Sequence, residues 1–454
     1  METMTLSQIA GAVGSHCDSD AKINEICIDT RAIKPGCLFV AIRGENFDGH
    51  DFIEQAYESG AVGVITSREI SGHTGVILVP DTRKALLDLA RYYRGLFSVF
   101  TVGVTGSVGK TSTKEMIYAI LSEDGETLKT EGNLNNEIGM PLTVFRLSHT
   151  HKNGVFEMGM SNFGEISALT HVCCPNVGVI TNIGVSHMET LGSQENILKA
   201  KMEITDSMAP DAPLILNMDD PLLKTVNQMT QQPIMYYGIE DQQAEVTASN
   251  IRIINGTTQF TIRYYGQSIE AMVPAVGRHN VYNALAGFCV GLVANMKPED
   301  IVRGIRRYQN AAMRQNISVE NGVTVITDCY NASPASMHAA MDVLLHTECE
   351  GKRWCVFGDM LELGACSEEA HLEIGKEVGR SRIDGFVCIG EHARNMKRGA
   401  AMVGMKQAYY FEDNQKAAAF LAKTLVPGDV VIYKASRGMH LEEVISRVSE
   451  EWKK

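Results

Sequence analysis

The chain lacks any apolar run long enough to cross a bilayer, because no segment reaches the roughly 18 apolar residues that a spanning helix requires. Its first residues, METMTLSQIAGAVG, lack the basic region followed by an apolar region that is typical of a signal peptide. No low-complexity tract is long enough to indicate a disordered tail. We therefore expect a folded cytoplasmic protein with no membrane insertion.

Paired cysteine spacing is also missing. The eleven cysteines are scattered, and neither Cys173-Cys174 nor any other set has the CxxC spacing of a zinc site. Reduced cytosolic thiols are the expected state.

Positive charge is in deficit, since 41 Lys and Arg residues stand against 54 Asp and Glu residues, giving a net charge of -13. This balance disfavours nucleic-acid binding, because phosphate backbones require a basic face. Any anionic ligand must instead be held by local cations.

The pattern of strands and helices predicts an α/β protein of three domains, because 454 residues are too many for one ordinary core. Residues 1–98 read as a small α/β domain. Residues 99–310 read as a doubly wound, mostly parallel sheet with an antiparallel edge between 244 and 275. Residues 311–454 read as a Rossmann-like domain.

The strongest local signal is TVGVTGSVGKTSTKE, a strand followed by a glycine-rich turn and a helix. In such a P-loop the main-chain N–H groups cradle phosphates, Lys110 reaches the β- and γ-phosphates, and Thr111 holds Mg²⁺. The first glycine of the usual GxxxxGK[ST] pattern falls on Val104, so this turn is a shortened version. A tight strand-to-helix turn without a ligand is the alternative reading.

Glu157 is expected to end a buried strand at the edge of the sheet where parallel sheets place ligands. A carboxylate there is costly unless it meets a cation, so a Mg²⁺ ligand is its natural role. His187, beyond the strand VGVITNI, could orient metal and phosphate or could be an ordinary structural histidine.

TGSVGKTS is similar to the shortened P-loop of the Mur ligases, and the similarity extends along nearly the whole chain. The segments that carry it, in the family's order, are EGNLNNEIGMPLT, FEMGMSNFGEI, TNIGVSHMETLGSQENILKAKMEI, GRHNVYNALAG, DCYNASPASM, GDMLELG and KASRGM. GDMLELG and FEMGM most resemble the branch of the family that adds D-alanyl-D-alanine. YNASP replaces the YNANP of many relatives, a departure at Ser333 that leaves Asp328 and Asn331 untouched.

The resemblance implies ATP as co-substrate and two Mg²⁺ ions. The implied nucleotide-binding residues are Gly106, Ser107, Gly109, Lys110, Thr111, Ser112, Asn280, Asn283, Arg314 and Asp328. The implied metal ligands are Thr111, Glu157, His187 and Lys201, and the implied catalytic residues are Lys110, Glu157, His187 and Lys201. In the family the lysine corresponding to Lys201 is carbamylated; a solvated helix lysine is the alternative.

The resemblance also implies that the first domain grips the UDP end of a sugar-peptide and that the third carries a dipeptide. The candidate substrate-binding residues are Thr30, Arg31, Arg43, Gly44, Asn133, Asn135, Asn136, Asn331, Lys434 and Arg437. Asp48 and His50 could belong to this region or could form a polar turn.

The implied activity is ATP-dependent joining of D-alanyl-D-alanine to UDP-N-acetylmuramoyl-tripeptide by a monomeric enzyme of peptidoglycan precursor synthesis. Two alternatives stay open. One is a related ligase that adds the third amino acid to the dipeptide precursor, although the DNPR-type segment usual in such enzymes is absent. The other is a nucleotide-regulated P-loop module that makes no bond.

Overall fold

A computed structural model describes residues 1–44 and 46–453 of the chain. The strands are β1 (Met4–Thr5), β2 (Lys22–Ile23), β3 (Ile26–Cys27), β4 (Leu38–Val40), β5 (Gly63–Thr66), β6 (Val76–Leu78), β7 (Phe100–Thr105), β8 (Thr127–Lys129), β9 (Asn153–Glu157), β10 (Val177–Ile180), β11 (Leu214–Asn217), β12 (Ile234–Gly238), β13 (Val246–Ile254), β14 (Thr257–Tyr264), β15 (Gln267–Val273), β16 (Asn316–Glu320), β17 (Val323–Thr327), β18 (Arg353–Gly358), β19 (Gly385–Ile389), β20 (Ala408–Phe411) and β21 (Val430–Lys434).

The α-helices are α1 (Leu6–Ala12), α2 (Ile53–Glu58), α3 (Thr82–Arg94), α4 (Lys110–Leu121), α5 (Gly139–Val144), α6 (Glu165–Cys173), α7 (Met188–Leu191), α8 (Gln194–Met202), α9 (Arg278–Val293), α10 (Pro298–Arg306), α11 (Pro334–His346), α12 (Ser367–Arg380), α13 (Ala393–Met402), α14 (Asn414–Thr424) and α15 (Glu442–Trp452). Among the described residues, every helix is too short or too polar to span a membrane.

Contacts between residues divide the chain into two compact units. The first unit comprises residues 1–105, 124–178 and 200–213, and the second comprises residues 106–123, 179–199 and 214–454. Each unit contains both strands and helices.

The first unit contains a four-stranded parallel sheet in the order β3-β4-β5-β6. Helix α3 is preceded by Asp81, a typical N-cap whose carboxylate accepts the main-chain N–H groups of Arg83 and Lys84. Its residues Leu86, Leu89 and Tyr93 recur at helical spacing and are buried. The helix thereby presents one apolar stripe to the interior of the unit.

A second group of strands in the first unit runs parallel in the order β7-β9-β8. Strand β9 is central in this group, and all five of its residues are buried. A strand that is buried on both faces usually has a near-continuous apolar sequence, and GVFE has one up to its last residue. Glu157 is that last residue, so a carboxylate stands at the carboxyl end of a buried strand.

The second unit contains strands β11, β12 and β13 in parallel pairs, followed by the antiparallel strands β14 and β15. The antiparallel edge expected between 244 and 275 is therefore confirmed. Helix α9 is buried on nearly all sides and packs closely on α4, because Gly287 leaves room for the side chain of Ile120.

The C-terminal part of the second unit is a six-stranded sheet in the order β16-β17-β21-β18-β19-β20, parallel except for β16. Alternate residues of β18 divide between two apolar clusters: Cys355 and Phe357 belong to one cluster, and Trp354 and Val356 to the other. The first cluster includes residues of α11, α12 and α13, and the second includes residues of α14 and α15. The sheet is thus covered on both faces, as a doubly wound fold requires.

Several strands have too little sequence signal to be predicted, and β12 and β16 are two of them. Strand β12 reads as a short mixed segment, IMYYG, between loops. Strand β16 is a largely exposed edge strand, so its sequence NISVE carries no apolar run. Its pairing with β17 supplies the stabilisation that its own composition does not indicate.

We predict opposite effects for two helical glycine-to-alanine changes. A Cβ at Gly375 in α12 would lie 1.9 Å from the main-chain oxygen of Met396 in α13, so the two helices would have to separate. Gly375→Ala should destabilise the protein by about 1–3 kcal/mol.

Gly11→Ala in α1 is the matched control, because nothing lies within 4 Å of the added methyl group. It should stabilise the helix by about 0.5–1 kcal/mol, since alanine loses less backbone freedom on folding. Calorimetry should show an unfolding temperature below that of the parent for Gly375→Ala and not for Gly11→Ala. Equal transitions for the two variants would contradict the close packing of α12 on α13.

Candidate functional site

The turn before α4 has a positive φ, which favours glycine, at two positions. Gly106 has a φ of +150°, and a Cβ there would lie 1.9 Å from the hydroxyl oxygen of Thr181. Gly109 has a φ of +83° and immediately precedes the first residue of α4, Lys110. The glycines therefore allow a tight turn that brings main-chain N–H groups to the start of a helix, the arrangement that binds phosphate.

This turn is fastened to the segment after β10. The main-chain N–H of Val108 donates to the side chain of Asn182 at 2.9 Å, and the hydroxyl of Thr181 donates to the Val108 carbonyl at 2.6 Å. The main-chain N–H of Gly184 donates to Ser107 Oγ at 2.8 Å. Lys110 folds back so that Nζ donates to the Gly106 carbonyl at 2.8 Å. These bonds fix the turn before any ligand arrives.

A cavity of about 370 Å³ opens beside the turn, wholly within the second unit. It collects residues that are distant in sequence, including five from the implied nucleotide-binding set. Those lining residues are Gly109, Ser112, Asn283, Arg314 and Asp328, joined by Lys434 from the set assigned to the dipeptide.

Lys434 and Asp328 form a buried ion pair in this cavity. Lys434 Nζ lies 2.8 Å from Asp328 Oδ2, and the two side chains are 2% and 7% exposed. Burial lowers the pKa of Lys434, and the neighbouring carboxylate of Asp328 opposes that shift. Arg314 lies over the ring of Tyr330, 4.5 Å from its centroid, where the ring face attracts the cation. The cavity therefore carries fixed cations in an acidic protein.

A chain of hydrogen bonds runs from α4 through α9. The hydroxyl of Thr113 donates to Asn283 Oδ1 at 2.9 Å, and Asn283 Nδ2 lies 3.4 Å from Asn280 Oδ1. Asn280 Nδ2 donates to the carbonyl of Val276 at 3.0 Å and lies 3.5 Å from Gln315 Oε1. Asn283 lines the cavity, whereas Asn280 is buried behind it.

The cavity wall also contains residues that the sequence analysis did not single out, among them His279, Tyr282 and Asp219. Asp219 accepts the hydroxyl of Tyr282 at 2.8 Å and three main-chain N–H groups between Ile239 and Asp241. Burial raises the pKa of Asp219, but these donors outweigh it and the pKa is lowered. Asp219 could have been found from the rule that ligands gather at the carboxyl ends of parallel strands, since it follows β11.

In the first unit, Glu157 is 2% exposed and its Oε1 accepts a hydrogen bond from Asn135 Nδ2 at 2.8 Å. The main-chain carbonyl of Asn133 accepts the N–H of Asn135. Asn136 has a different task, because its side chain accepts the N–H groups of Ile138 and Gly139 at the start of α5. The asparagine cluster thus combines a turn with a direct contact to the carboxylate.

Lys201, near the end of α8, is 2% exposed and also belongs to the first unit. A solvated position on the helix surface, the alternative considered for this lysine, is therefore excluded. The neighbouring Lys199 is exposed.

His187 and Thr111 belong to the second unit. His187 has a left-handed backbone, with φ +63°, and its Nδ1 lies 3.4 Å from a carboxylate oxygen of Glu362. Within the described part of the chain, no three His, Cys, Asp or Glu side chains are grouped as a metal site. The predicted ligand set contains only one carboxylate and one imidazole, so it would not form a cluster of three such side chains.

The proposed UDP-binding residues follow strands of the four-stranded sheet. Thr30 and Arg31 lie in a short 3₁₀ turn after β3, and Arg43 and Gly44 lie after β4. Arg31 pairs with Asp29 at 2.7 Å, and this hydrogen-bonded pairing lowers the pKa of Asp29 to about 2. Arg31 is nevertheless 86% exposed, so its guanidinium stays accessible to an anion.

Two further residues are placed in the C-terminal part. The side chain of Asn331 accepts the N–H of Ala332, and Arg437 is paired with Glu442 at 2.6 Å. Neither lines the cavity. Ser333, the departure from the family pattern, caps α11 through a reciprocal bond with Ser336, so a serine meets the capping requirement there.

Three family models match the chain: "Mur ligase family, catalytic domain" over residues 22–94, "Mur ligase middle domain" over 104–291, and "Mur ligase, glutamate ligase domain" over 313–437. A Bacillus subtilis relative named UDP-N-acetylmuramoyl-tripeptide--D-alanyl-D-alanine ligase is 37% identical, covering 94% of this chain and 93% of its own.

Solved structures agree with the sequence relatives. MurF from Acinetobacter baumannii has a TM-score of 0.92 at 32% identity, covering 99% of both chains. MurF from Thermotoga maritima, solved in complex with ADP, has a TM-score of 0.84 at 30% identity, covering 94% of this chain and 98% of its own.

We predict that the buried ion pair makes removal of one partner far more harmful than removal of both. Lys434→Met leaves the Asp328 carboxylate buried without its cation and should cost about 3–5 kcal/mol of stability. The double variant Lys434→Met, Asp328→Asn should recover much of this loss. Denaturant unfolding monitored by fluorescence and circular dichroism measures both.

Lys416→Met is the matched control, since Lys416 pairs with Asp413 at 3.3 Å and with Glu412 at 3.8 Å, and all three side chains are exposed. Its effect should stay within about 0.5 kcal/mol. A Lys434→Met variant as stable as this control would contradict the inferred burial of Asp328.

Proposed function

This chain belongs to the Mur ligase family, and we propose that it joins D-alanyl-D-alanine to UDP-N-acetylmuramoyl-tripeptide with conversion of ATP to ADP and phosphate. The observation that carries the proposal is the cavity beside the glycine-rich turn, where Gly109, Arg314 and Lys434 meet. The identity with the D-alanyl-D-alanine ligases over nearly the full length supports this member of the family.

The reaction needs ATP because a carboxylate is a poor electrophile. An oxygen of the tripeptide carboxylate attacks the γ-phosphorus, the bond to the bridging oxygen breaks, and ADP leaves. The free amine of D-alanyl-D-alanine then attacks the acyl phosphate carbon. The tetrahedral intermediate expels phosphate, the amine loses its proton, and the amide remains.

The chain's own contribution to phosphoryl transfer is position and charge. The turn from Gly106 to Gly109 offers main-chain N–H groups, and Lys110 supplies a cation that can leave its contact with the Gly106 carbonyl for a phosphate. The proposed nucleotide-binding residues are Gly106, Ser107, Gly109, Lys110, Thr111, Ser112, Asn283, Arg314 and Asp328. Asn280 is proposed to act through Asn283, which it contacts from behind the cavity wall.

Residues of the chain fit a divalent cation by donor chemistry. Glu157 is a buried carboxylate held in place by Asn135, and carboxylate oxygens suit Mg²⁺. When bound, Mg²⁺ would neutralise phosphate charge and polarise the phosphoryl oxygens. As the family resemblance implies, we propose Thr111, Glu157, His187 and Lys201 as ligands, with Lys201 carbamylated. Burial of Lys201 is compatible with that modification.

The sugar-peptide is proposed to bind through Thr30, Arg31, Arg43 and Gly44 at its UDP end. The remaining proposed substrate-binding residues are Asn133, Asn135, Asn136, Asn331, Lys434 and Arg437. We retain the domains 1–98, 99–310 and 311–454, within which the three matched family ranges fall. A cytoplasmic monomer remains our proposal for the working state.

The substrate assignment is tested by supplying ATP, Mg²⁺ and D-alanyl-D-alanine with either UDP-N-acetylmuramoyl-tripeptide or its dipeptide precursor. Mass spectrometry should show a product only from the tripeptide. Product from the dipeptide precursor and a free diamino acid would instead identify a ligase of the third residue. ATP hydrolysis that is independent of every sugar-peptide would favour a nucleotide-regulated module.

We predict that Lys110→Ala removes most ligase activity and leaves the fold intact. Loss of one cation that stabilises the transferring phosphoryl group costs about 3 kcal/mol or more, which lowers kcat about a hundredfold or more. Lys416→Ala on the exposed face of α14 is the control and should turn over like the parent. Near-normal turnover by a folded Lys110→Ala variant would contradict the proposed nucleotide site.

We predict that Lys201 acts as a carbamate. An ammonium would repel Mg²⁺, whereas a carbamate presents oxygens that bind it. Lys201→Ala should therefore cripple turnover, and a short-chain carboxylic acid added to the assay should restore part of it. Lys201→Arg should also be inactive, because a guanidinium stays charged and does not become a carbamate.

Lys199→Ala is the matched control, since Lys199 lies two residues away on the same helix and is exposed. It should behave like the parent with or without the added acid. Parent-like turnover by Lys201→Arg would show that the metal is held by other groups.

A further inference from the structure

Three polar side chains of the first unit form a linear hydrogen-bonded series. Ser67 Oγ lies 2.9 Å from His50 Nε2, and His50 Nδ1 lies 2.6 Å from Asp48 Oδ1. The imidazole is buried, with a side chain only 4% exposed, whereas Ser67 is exposed. A buried, doubly bonded histidine therefore supports one accessible hydroxyl.

The direction of every bond in this series can be assigned. The main-chain N–H of Ser67 also points to His50 Nε2, at 3.1 Å, and an amide N–H can only donate. Nε2 is thus the acceptor, the ring proton is on Nδ1, and that proton is donated to Asp48. The Ser67 hydroxyl must likewise give its proton to Nε2. Its lone pairs remain directed away from the imidazole.

Asp48 is well suited to hold this tautomer. Its Oδ1 also accepts the main-chain N–H of His50 at 3.0 Å, and its Oδ2 lies 2.6 Å from Arg68 Nη2. The hydrogen bond from the His50 main chain, followed by that from its ring, lowers the pKa of Asp48. The carboxylate therefore stays ionised and keeps the imidazole N–H oriented.

Ser67 stands at the edge of the sheet where ligands bind. It follows β5 directly, just as the Thr30 turn follows β3 and Arg43 follows β4, and these three strands are parallel. The carboxyl ends of parallel strands meet at one edge, which is the usual ligand-binding edge of such sheets. The accessible hydroxyl and the proposed UDP-binding residues therefore share that edge.

The same three residue types form the catalytic triad of serine hydrolases. The surroundings of Ser67 distinguish a binding hydroxyl from a nucleophile. A nucleophilic serine requires nearby N–H donors for the developing oxyanion. Here the N–H of Ser67 is donated to His50, and the N–H of Arg68 is donated to Thr66 Oγ1 at 3.0 Å. These two donors are occupied, which favours a binding role over a nucleophilic one.

We propose that Ser67 Oγ is a substrate-specificity residue, accepting a hydrogen bond from an N–H or O–H donor on the uridine end of the sugar-peptide substrate. His50 and Asp48 are positioning residues, because they direct the hydroxyl proton of Ser67 toward His50 Nε2. This inference rests on the proposed function and adds a residue to its UDP-binding region. A phosphate oxygen, which can only accept, does not match the lone pairs that Ser67 presents.

The kinetic test compares Ser67→Ala with Ser67→Thr. Loss of one neutral hydrogen bond corresponds to about a three- to tenfold rise in KM for UDP-N-acetylmuramoyl-tripeptide. The values of kcat and of KM for ATP and D-alanyl-D-alanine should be unchanged, and Ser67→Thr should retain the parent KM. A merely structural serine would not change one substrate's KM selectively.

Ser59→Ala is the matched control, because Ser59 is an exposed serine before β5, at the opposite edge of the same sheet. It should leave all constants unchanged. If the parent turns over the tripeptide and Ser67→Ala has the same KM for it, this inference is wrong while the proposed function stands. A parent that does not turn over the tripeptide would overturn the proposed function.

Calorimetric titration identifies the donor. UDP, 3-methyl-UDP, 2′-deoxy-UDP and 3′-deoxy-UDP are each titrated into the parent and into Ser67→Ala. The analogue that lacks the donor used by Ser67 should bind the parent more weakly and should lose nothing further in Ser67→Ala. Additive losses for all three analogues would contradict the contact. Covalent labelling of Ser67 by a fluorophosphonate would overturn the binding role in favour of a nucleophile.

Discussion

The close contact between the Gly106–Gly109 turn and the segment that begins at Thr181 is the constraint on which the nucleotide cavity depends. A side chain at position 106 would occupy the space of the Thr181 hydroxyl, and that hydroxyl is needed to hold the Val108 carbonyl. Because the turn is fixed from outside, its N–H groups are oriented before a ligand arrives. Binding then requires little reorganisation, which is the condition for strong electrostatic stabilisation of a phosphoryl group.

The hydrogen-bonded chain from Thr113 to Gln315 extends this fixed geometry away from the turn. Asn283 receives the Thr113 hydroxyl and lines the cavity, and Asn280 is joined to the segment that carries Arg314. Amides suit this work because each has both donors and acceptors, so it can bridge two elements. The paired asparagines of GRHNVYN therefore join α4 to the segment that delivers a cation to the cavity.

Charge is managed locally in a protein whose net charge is negative. Lys434 is buried beside Asp328, and Arg31 lies beside Asp29 on an exposed turn. A carboxylate partner holds each cation in one place, at the cost of part of its attraction for an anionic ligand. A carboxylate also holds the uncharged ring of His50 in place, because Asp48 orients the ring and the ring orients Ser67. Paired charges thus serve mainly to orient donors and acceptors.

The sequence by itself determined the α/β class, the shortened P-loop and the family, because glycines, a lysine and buried strands leave signals within a few residues of one another. It also indicated Glu157 as a carboxylate ending a buried strand. Only the tertiary structure decided that Lys434 shares a cavity with Asn283, that Asp219 is held by three main-chain donors, and that Asn136 caps a helix while Asn135 contacts Glu157. Likewise, Asp48, His50 and Ser67 are ordinary polar residues along the chain. Their common orientation arises because strand pairing brings the end of β5 beside the turn after β4, a contact that no local pattern encodes.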